Sequence, residues 1–195
     1  MPGADRLEVT RRGAALARVS IVTVPEARIE PTEEGLVVAE PGWFVLNVGD
    51  VTWQRHEVGG EWTNFEAGGF EQYGIGIHVL QPGQPNGKYH SETNQEAFLV
   101  LSGECLLIVE DEERRLKAWD FFHCAPGTHH IFVGAGHGPC AILMVGARGG
   151  NTLHYPASEL AARHGAAAPE ETNQPAEAYK DWPRDFEPVR ASWPV

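Results

Sequence analysis

From Trp43 onward the apolar residues of this chain fall into short runs: "WFVLNV", "YGIGIHVL", "EAFLVL", "CLLIVE", "FFHCA", "HIFVG" and "CAILMVGA". Each is rich in β-branched and aromatic side chains, none keeps a helical period, and Gly, Pro and Asp break them at roughly 8- to 12-residue intervals. That texture predicts an all-β domain, a sandwich or a closed barrel. The punctuation agrees. "QPGQPNG" (81–87) and "APGT" (125–128) are turn sequences, "SGE" ends the strand that reaches Leu101, and "EDEERR" (110–115) makes a polar hairpin tip.

The two ends read differently. Residues 1–40 carry scattered charge, Pro25 and Pro31, and two short strand candidates, "ARVSIVTV" and "GLVVAE"; they predict an N-terminal arm leaning on a barrel of residues 41–148. Residues 149–195 open with "HYPASELAARHGA", where Pro156 near the start and Gly165 as a stop predict a short helix over Pro156–His164. The rest is rich in Pro and charge yet holds Tyr179, Trp182, Phe186 and Trp193. A solvated tail rarely carries four aromatics, so an extended segment pinned to the barrel or to a second subunit is expected.

Composition narrows the setting. The 195 residues suffice for one good core and fall short of two ordinary domains. The formal charge of −12, with no block of Lys or Arg to track a phosphate backbone, argues against nucleic acid. Cys105, Cys124 and Cys140 are widely spaced among apolar residues, and read as buried free thiols in a reducing compartment. Arg11 and Arg12 precede "GAALARVSIVTV", but Arg18 interrupts that run, and it does not read as an export signal. No run approaches the ~18 apolar residues of a membrane span. The expectation is a cytoplasmic protein without membrane contact.

Chemistry concentrates in "YHSETNQEAFLVLSG" (89–103). His90, Glu92 and Glu96 share one parity with Phe98, so on a continuous strand all four face the same way. Two carboxylates in an enclosed space are costly unless paired or bound to a metal. A second cluster lies in "WDFFHCAPGTHHIFVG", where His130 and Phe132 share one face and His129 and Ile131 the other.

Together the segments "PG…H-x-E-x-x-x-E-x-x-x-x-x-x-G" and "D-F-F-H-C-A-P-G-T-x-H" resemble the two conserved motifs of the cupin superfamily, over about residues 70–147. The resemblance implies a small single-domain cupin, a double-stranded β-helix or jelly-roll barrel. His90 matches the first motif's first histidine, Glu96 its glutamate and Gly103 its closing glycine. Pro126 and Gly127 match the second motif's turn, and His130 its histidine. In metal-binding cupins these histidines and the glutamate surround a divalent ion. The chain departs at the second-histidine position, which holds Glu92, at Trp119 where the second motif opens with Gly, at Ala125 for its first proline, and at Gly134 for its closing asparagine.

His90, Glu92 and His130 supply the parts of a two-histidine, one-carboxylate triad with open positions; with Glu96 the set becomes two imidazoles and two carboxylates. One divalent transition metal is expected, Fe or Mn by ligand hardness, with Zn or Ni competing. Should Glu96 not ligate, a carboxyl in a low-dielectric cavity is a candidate general base. His129 is the alternative to His130 if the register slips by one. His78, Phe98 and Phe132 are candidate pocket residues. His123 reads as structural, while His56, His137, His154 and His164 read as exposed.

Three functional classes follow. The first is a metal-dependent enzyme on a small organic molecule, an oxygenase or a lyase or isomerase using the ion as Lewis acid. A 2-oxoglutarate-dependent variant would need a cation for the cosubstrate, and Arg148 or Lys88 is the candidate. The second is a non-catalytic small-molecule-binding barrel, and the third a structural barrel acting in assembly. Arms at both ends, with the cupin habit of pairing through barrel edges, predict a homodimer.

Overall fold

Two runs from the middle of the chain, Tyr73–Leu80 and Cys140–Ala147, pair antiparallel along their whole length, Leu80 opposite Cys140 and Tyr73 opposite Ala147. The rest of the molecule is arranged around them. The computed structural model describes residues 23–65 and 70–193. Most of "ARVSIVTV", with Arg11, Arg12 and Arg18, lies outside the described residues.

In chain order the first strands are β1 (Ile29–Pro31), β2 (Leu36–Val38), β3 (Thr52–His56), β4 (Gly60–Thr63) and β5 (Tyr73–Leu80). There follow β6 (Ser91–Glu92), β7 (Glu96–Ser102), β8 (Glu104–Val109), β9 (Glu112–Lys117), β10 (Phe121–Cys124), β11 (His130–Ala135), β12 (Cys140–Ala147) and β13 (Leu153–His154). The chain ends with α1 (Glu159–Arg163), α2 (Pro175–Ala178) and β14 (Glu187–Arg190).

One antiparallel sheet runs β10-β7-β12-β5-β4-β3-β14, a second runs β11-β8-β9, and β13-β6 and β1-β2 are pairs. The inward residues of the large sheet, Leu80, Phe98, Val100 and Ile142, pack against Leu107 and Phe132 of the smaller one, each 5% exposed or less. Full burial of such side chains contributes about 1.5–3 kcal/mol each. The two sheets close an all-β double-stranded β-helix barrel.

Glycine is required where the chain turns hard against itself. Gly103 joins β7 to β8 at φ +71, and a Cβ there would stand 2.4 Å from the Pro139 carbonyl oxygen. At Gly134, where the family pattern has asparagine, a Cβ would stand 2.1 Å from the Gln81 carbonyl oxygen. The departure at that position follows from the close approach of the 81–84 turn.

The outer faces are covered by the C-terminal segment. Ala161 and Ala166 seal Ile108, Ile131 and Val133 on the small sheet. Val189 and Trp193 lie over Trp53, Val79 and Ala141 on the large one, and Trp193 Nε1 donates to Ser102 Oγ at 2.9 Å. The helix is shorter than its sequence suggests. Ser158 Oγ accepts from the Ala161 amide and caps α1, so Pro156 and Ala157 stay outside.

Trp119, at the turn before β10, takes φ +75 and is 77% exposed. A bulky residue in this region is strained, and the family's glycine would not be. Trp119→Gly is expected to raise unfolding free energy by about 1 kcal/mol, because it relieves strain and gives up little buried area. Urea denaturation of the two proteins checks this; an unchanged or lowered midpoint contradicts it.

Candidate metal centre

The two motifs are joined by one antiparallel bridge. The His90 amide donates to the His130 carbonyl at 3.2 Å, and the His130 amide to the His90 carbonyl at 2.8 Å. The Gly127 amide, in the Pro-Gly turn, donates to the Glu92 carbonyl at 2.7 Å. This pairing puts the two imidazoles 5.1 Å apart, ring centre to ring centre.

Strand parity does not bring Glu96 to them. Residues 89–103 are not one strand: β6 pairs with β13, β7 pairs with β10 and β12, and the backbone bends at residues 93–95 between them. The bend, rather than a continuous pleat, swings Glu96 toward His90 and His130. One ligand atom from each of His90, Glu96 and His130 lies within 4.8 Å of the others.

Backbone carbonyls fix both rings. His90 Nδ1 lies 2.7 Å from the Lys88 carbonyl oxygen. His130 Nδ1 lies 3.2 Å from that of Thr128, with Cys124 Sγ 3.4 Å away. A carbonyl only accepts, so each Nδ1 carries a proton; at His130, which stays neutral, this leaves the Nε2 lone pair free.

His130 Nε2 therefore faces Glu96 Oε2 at 3.4 Å, acceptor to acceptor, and Glu96 Oε2 is buried without a hydrogen-bond partner among the described residues. Burial, and then the Glu92 charge, push the Glu96 carboxyl up to about 7. Burial and the His90 charge bring His130 down to about 4, so it stays neutral. An orphaned carboxylate oxygen beside an unprotonated imidazole nitrogen is a fit for a cation.

Glu92 stands beside this trio. Its Oε1 lies 3.5 Å from His90 Nε2 and its Oε2 accepts from Asn151 Nδ2 at 2.6 Å. Burial opposes its ionisation, but hydrogen bonds to His90 and Asn151 outweigh this and hold it below the ordinary range. For His90 burial opposes protonation, and Glu92 and the Lys88 carbonyl outweigh it and raise the imidazole.

His129 is turned elsewhere: its ring packs near Tyr89 and His154. Around the trio a cavity of about 270 Å³ is lined by Asn64, His78, Asn86, Phe98, Met144 and Arg148 among others. Phe98 lies 5.1 Å from the His130 ring, whereas Phe132, fully buried behind it at 4.9 Å, belongs to the core. Asn64 and Asn86 were missed in the sequence. Asn86 was read only as turn punctuation, yet its Oδ1 accepts from the Phe132 amide at 2.9 Å.

Four other sequence expectations are resolved by packing. His56 is buried rather than exposed, because its Nε2–H donates to Pro183 carbonyl oxygen at 2.8 Å and its Nδ1 accepts from Gly59 N at 2.9 Å. His123, read as structural, is exposed on β10. Lys88 does not reach the cavity: its side chain is 1% exposed and its ammonium is held by Asp181 at 2.9 Å and the Ala167 carbonyl at 2.8 Å. The three thiols are free and buried; burial pushes Cys124 up to about 12, so it stays protonated beside His130.

Lys88 links the centre to the tail, since its carbonyl holds His90 while its ammonium holds Asp181. Asp181→Ala strands a buried ammonium, and is expected to cost about 1–3 kcal/mol, moderated because Asp181 is half exposed. Lys88→Met together with Asp181→Ala removes the stranded charge and is expected to recover part of that loss. Denaturant unfolding of the cycle checks both; a double variant no more stable than Asp181→Ala contradicts it.

Comparison with known proteins agrees with the motifs. Residues 76–146 match the family model described as the cupin domain. No curated protein matches the chain. Among solved structures, a sugar phosphate isomerase from a cupin superfamily of Silicibacter pomeroyi is 25% identical, with 52% of this chain and 68% of that chain covered and a TM-score of 0.48. A protein of Acidithiobacillus ferrooxidans named for a sugar phosphate isomerase activity is 24% identical, with 47% and 62% covered and a TM-score of 0.44, so this chain spans less than two thirds of its length. The polyketide cyclase RemF of Streptomyces resistomycificus is 13% identical, with 69% and 79% covered and a TM-score of 0.42. Among the described residues no helix is long and apolar enough to cross a membrane. Both motifs fall within residues 76–146, the stretch that matches the cupin domain.

Proposed function

We propose that this protein is a metal-dependent cupin enzyme acting on a small organic molecule, with one divalent ion held by His90, Glu96 and His130. The observation that carries the reading is the pair of unprotonated acceptors, His130 Nε2 and Glu96 Oε2, 3.4 Å apart and buried. A divalent cation between them turns that arrangement from a cost into a bond. Glu92 Oε1, 3.5 Å from His90 Nε2, is the fourth ligand of the set.

Two imidazoles with carboxylates favour Fe²⁺ or Mn²⁺, with Zn²⁺ and Ni²⁺ in competition. A divalent ion there supplies Lewis-acid polarisation of a substrate oxygen, and the reaction class is oxygenation or a lyase or isomerase step. The chain's own residues set the rest. The Lys88 and Thr128 carbonyls hold the histidine tautomers, Phe98 shields the His130 ring from water, and Asn64 and Asn86 offer hydrogen bonds along the cavity. Lys88 is committed to Asp181, and Arg148 lines the cavity.

Metal content by inductively coupled plasma mass spectrometry, on untagged protein purified without chelator, tests the site. About one equivalent of Fe, Mn, Zn or Ni is expected in the wild type, at least tenfold less in His90→Ala and His130→Ala, and a several-fold reduction in Glu96→Gln. No metal in any preparation, even after reconstitution with each ion, overturns the reading.

The three unpaired thiols support a reducing, cytoplasmic setting. Trp43 and Val45, 52% and 86% exposed beside the N-terminal arm, support a homodimer. Light scattering is expected to give twice the chain mass, and a clean monomer mass sinks the dimer.

A further inference from the structure

The tail builds a second cavity beside the metal centre. It measures about 240 Å³ and is lined by His56, Trp62, His78, Tyr179, Trp182 and Phe186, among others. His78 and Asn86 line both this cavity and the one that holds His90, Glu96 and His130, so the two meet there. Tyr179, Trp182 and Phe186 lie beyond the residues that match the cupin-domain model. The barrel motif therefore does not account for this cavity.

Its walls are flat rings. Trp62 stacks on His78, centroids 6.0 Å apart and planes 19° apart. Phe186 meets Trp62 edge-on at 5.9 Å. Trp182 stacks on His56 at 5.3 Å and 18°, and Tyr179 meets Trp182 edge-on at 5.3 Å. Phe186 is 61% exposed, so the fold itself extracts little burial from it.

Charge selects among ligands for such a cage. Aromatic cages often hold cations, but here the Lys88 ammonium already sits 5.1 Å from the Trp182 ring centre, and Arg184 also lines the cavity. A cationic guest would meet Arg184, and would compete for Trp182 with the Lys88 ammonium already paired with Asp181. Burial brings His78 down to about 4, leaving a neutral ring whose Nδ1 is buried without a hydrogen-bond partner among the described residues.

We propose that this cavity binds a flat, neutral or anionic aromatic group of one or two rings, and that the substrate is an oxygen-bearing aromatic whose polar end passes His78 and Asn86 toward the metal centre. The size agrees, since an apolar cavity of about 150 Å³ holds benzene. Flat rings on flat rings supply the selectivity, and saturated rings of equal volume lose it. The direction of the polar end rests on the metal-binding reading; the ring site does not.

The test is calorimetric binding of 2-naphthol, with decahydro-2-naphthol as the saturated control and phenyltrimethylammonium as the cationic one. Wild type is expected to bind 2-naphthol at least fivefold more tightly than either control. Phe186→Leu, on an exposed residue, and Trp182→Leu are each expected to weaken it about three- to tenfold, with circular dichroism confirming that both fold. His90→Ala, depleted of metal, is expected to stay within about threefold of wild type. Equal binding of the flat and saturated rings, tighter binding of the cation, no change in Phe186→Leu, or no binding of 2-naphthol at all overturns the proposal. A protein that never holds metal yet binds 2-naphthol with this selectivity keeps the ring site and loses the metal centre. Full metal content without ring binding does the reverse.

Discussion

The site depends on two backbone hydrogen bonds exchanged between His90 and His130. They form the bridge that places the two motifs' histidines side by side. With the backbone set, each ring has one nitrogen within reach of a main-chain carbonyl and the other turned toward a carboxylate, Glu92 for His90 and Glu96 for His130. Local hydrogen bonding thus decides which nitrogen each ring turns toward the carboxylates. The glycines at 103 and 134 serve the same end, since they let neighbouring carbonyls close to distances that no side chain would permit.

Lys88 extends this constraint to the tail. A fully buried ammonium is tolerated because Asp181, the Ala167 carbonyl and the Trp182 ring surround it. Its own amide donates to Tyr179 Oη at 3.0 Å, and its carbonyl orients His90. The residue two positions before a metal-ligand candidate therefore anchors the segment that forms the aromatic cavity. Any loosening of that segment reaches His90 through Lys88 and also through Tyr155, whose ring lies 5.5 Å from that of His90 and 6.1 Å from that of Tyr179.

The barrel and the two histidines were legible in the sequence because they follow from short-range signals: strands of period two, turn residues at their ends, and histidines at fixed distances from those turns. The distinct positions of Glu92 and Glu96 were not. Parity treats residues 90–96 as one strand, and the bend at 93–95 belongs to the competition between β13 and the large sheet for the same stretch of chain. The tail was legible only as aromatic residues seeking burial. Its contacts, such as Lys88 with Asp181 or His56 with the Pro183 carbonyl, join residues far apart in sequence, and no local pattern encodes which surface they meet. The Asn86 role was hidden for a related reason, since "QPNG" satisfies a turn whether or not its amide faces a cavity.

Hydrogen-bond accounting separates the histidines of the fold from those of the chemistry. His56 spends both nitrogens within the protein, one on Pro183 and one on Gly59, and serves as a rigid ring for Trp182 to lie on. His90 and His130 each spend Nδ1 on a backbone carbonyl and keep Nε2 for the centre. His78 leaves Nδ1 unspent, although it stands on the central strand of the large sheet, where a leucine would pack at no such cost. His129 has an unspent Nε2 as well, but its ring is held near Tyr89 and His154 and lines neither cavity described above. An unsatisfied nitrogen alone is therefore only a cost. At His78 it coincides with the junction of two cavities, the one lined by His90, Glu96 and His130 and the aromatic one, where the proposed substrate would pass.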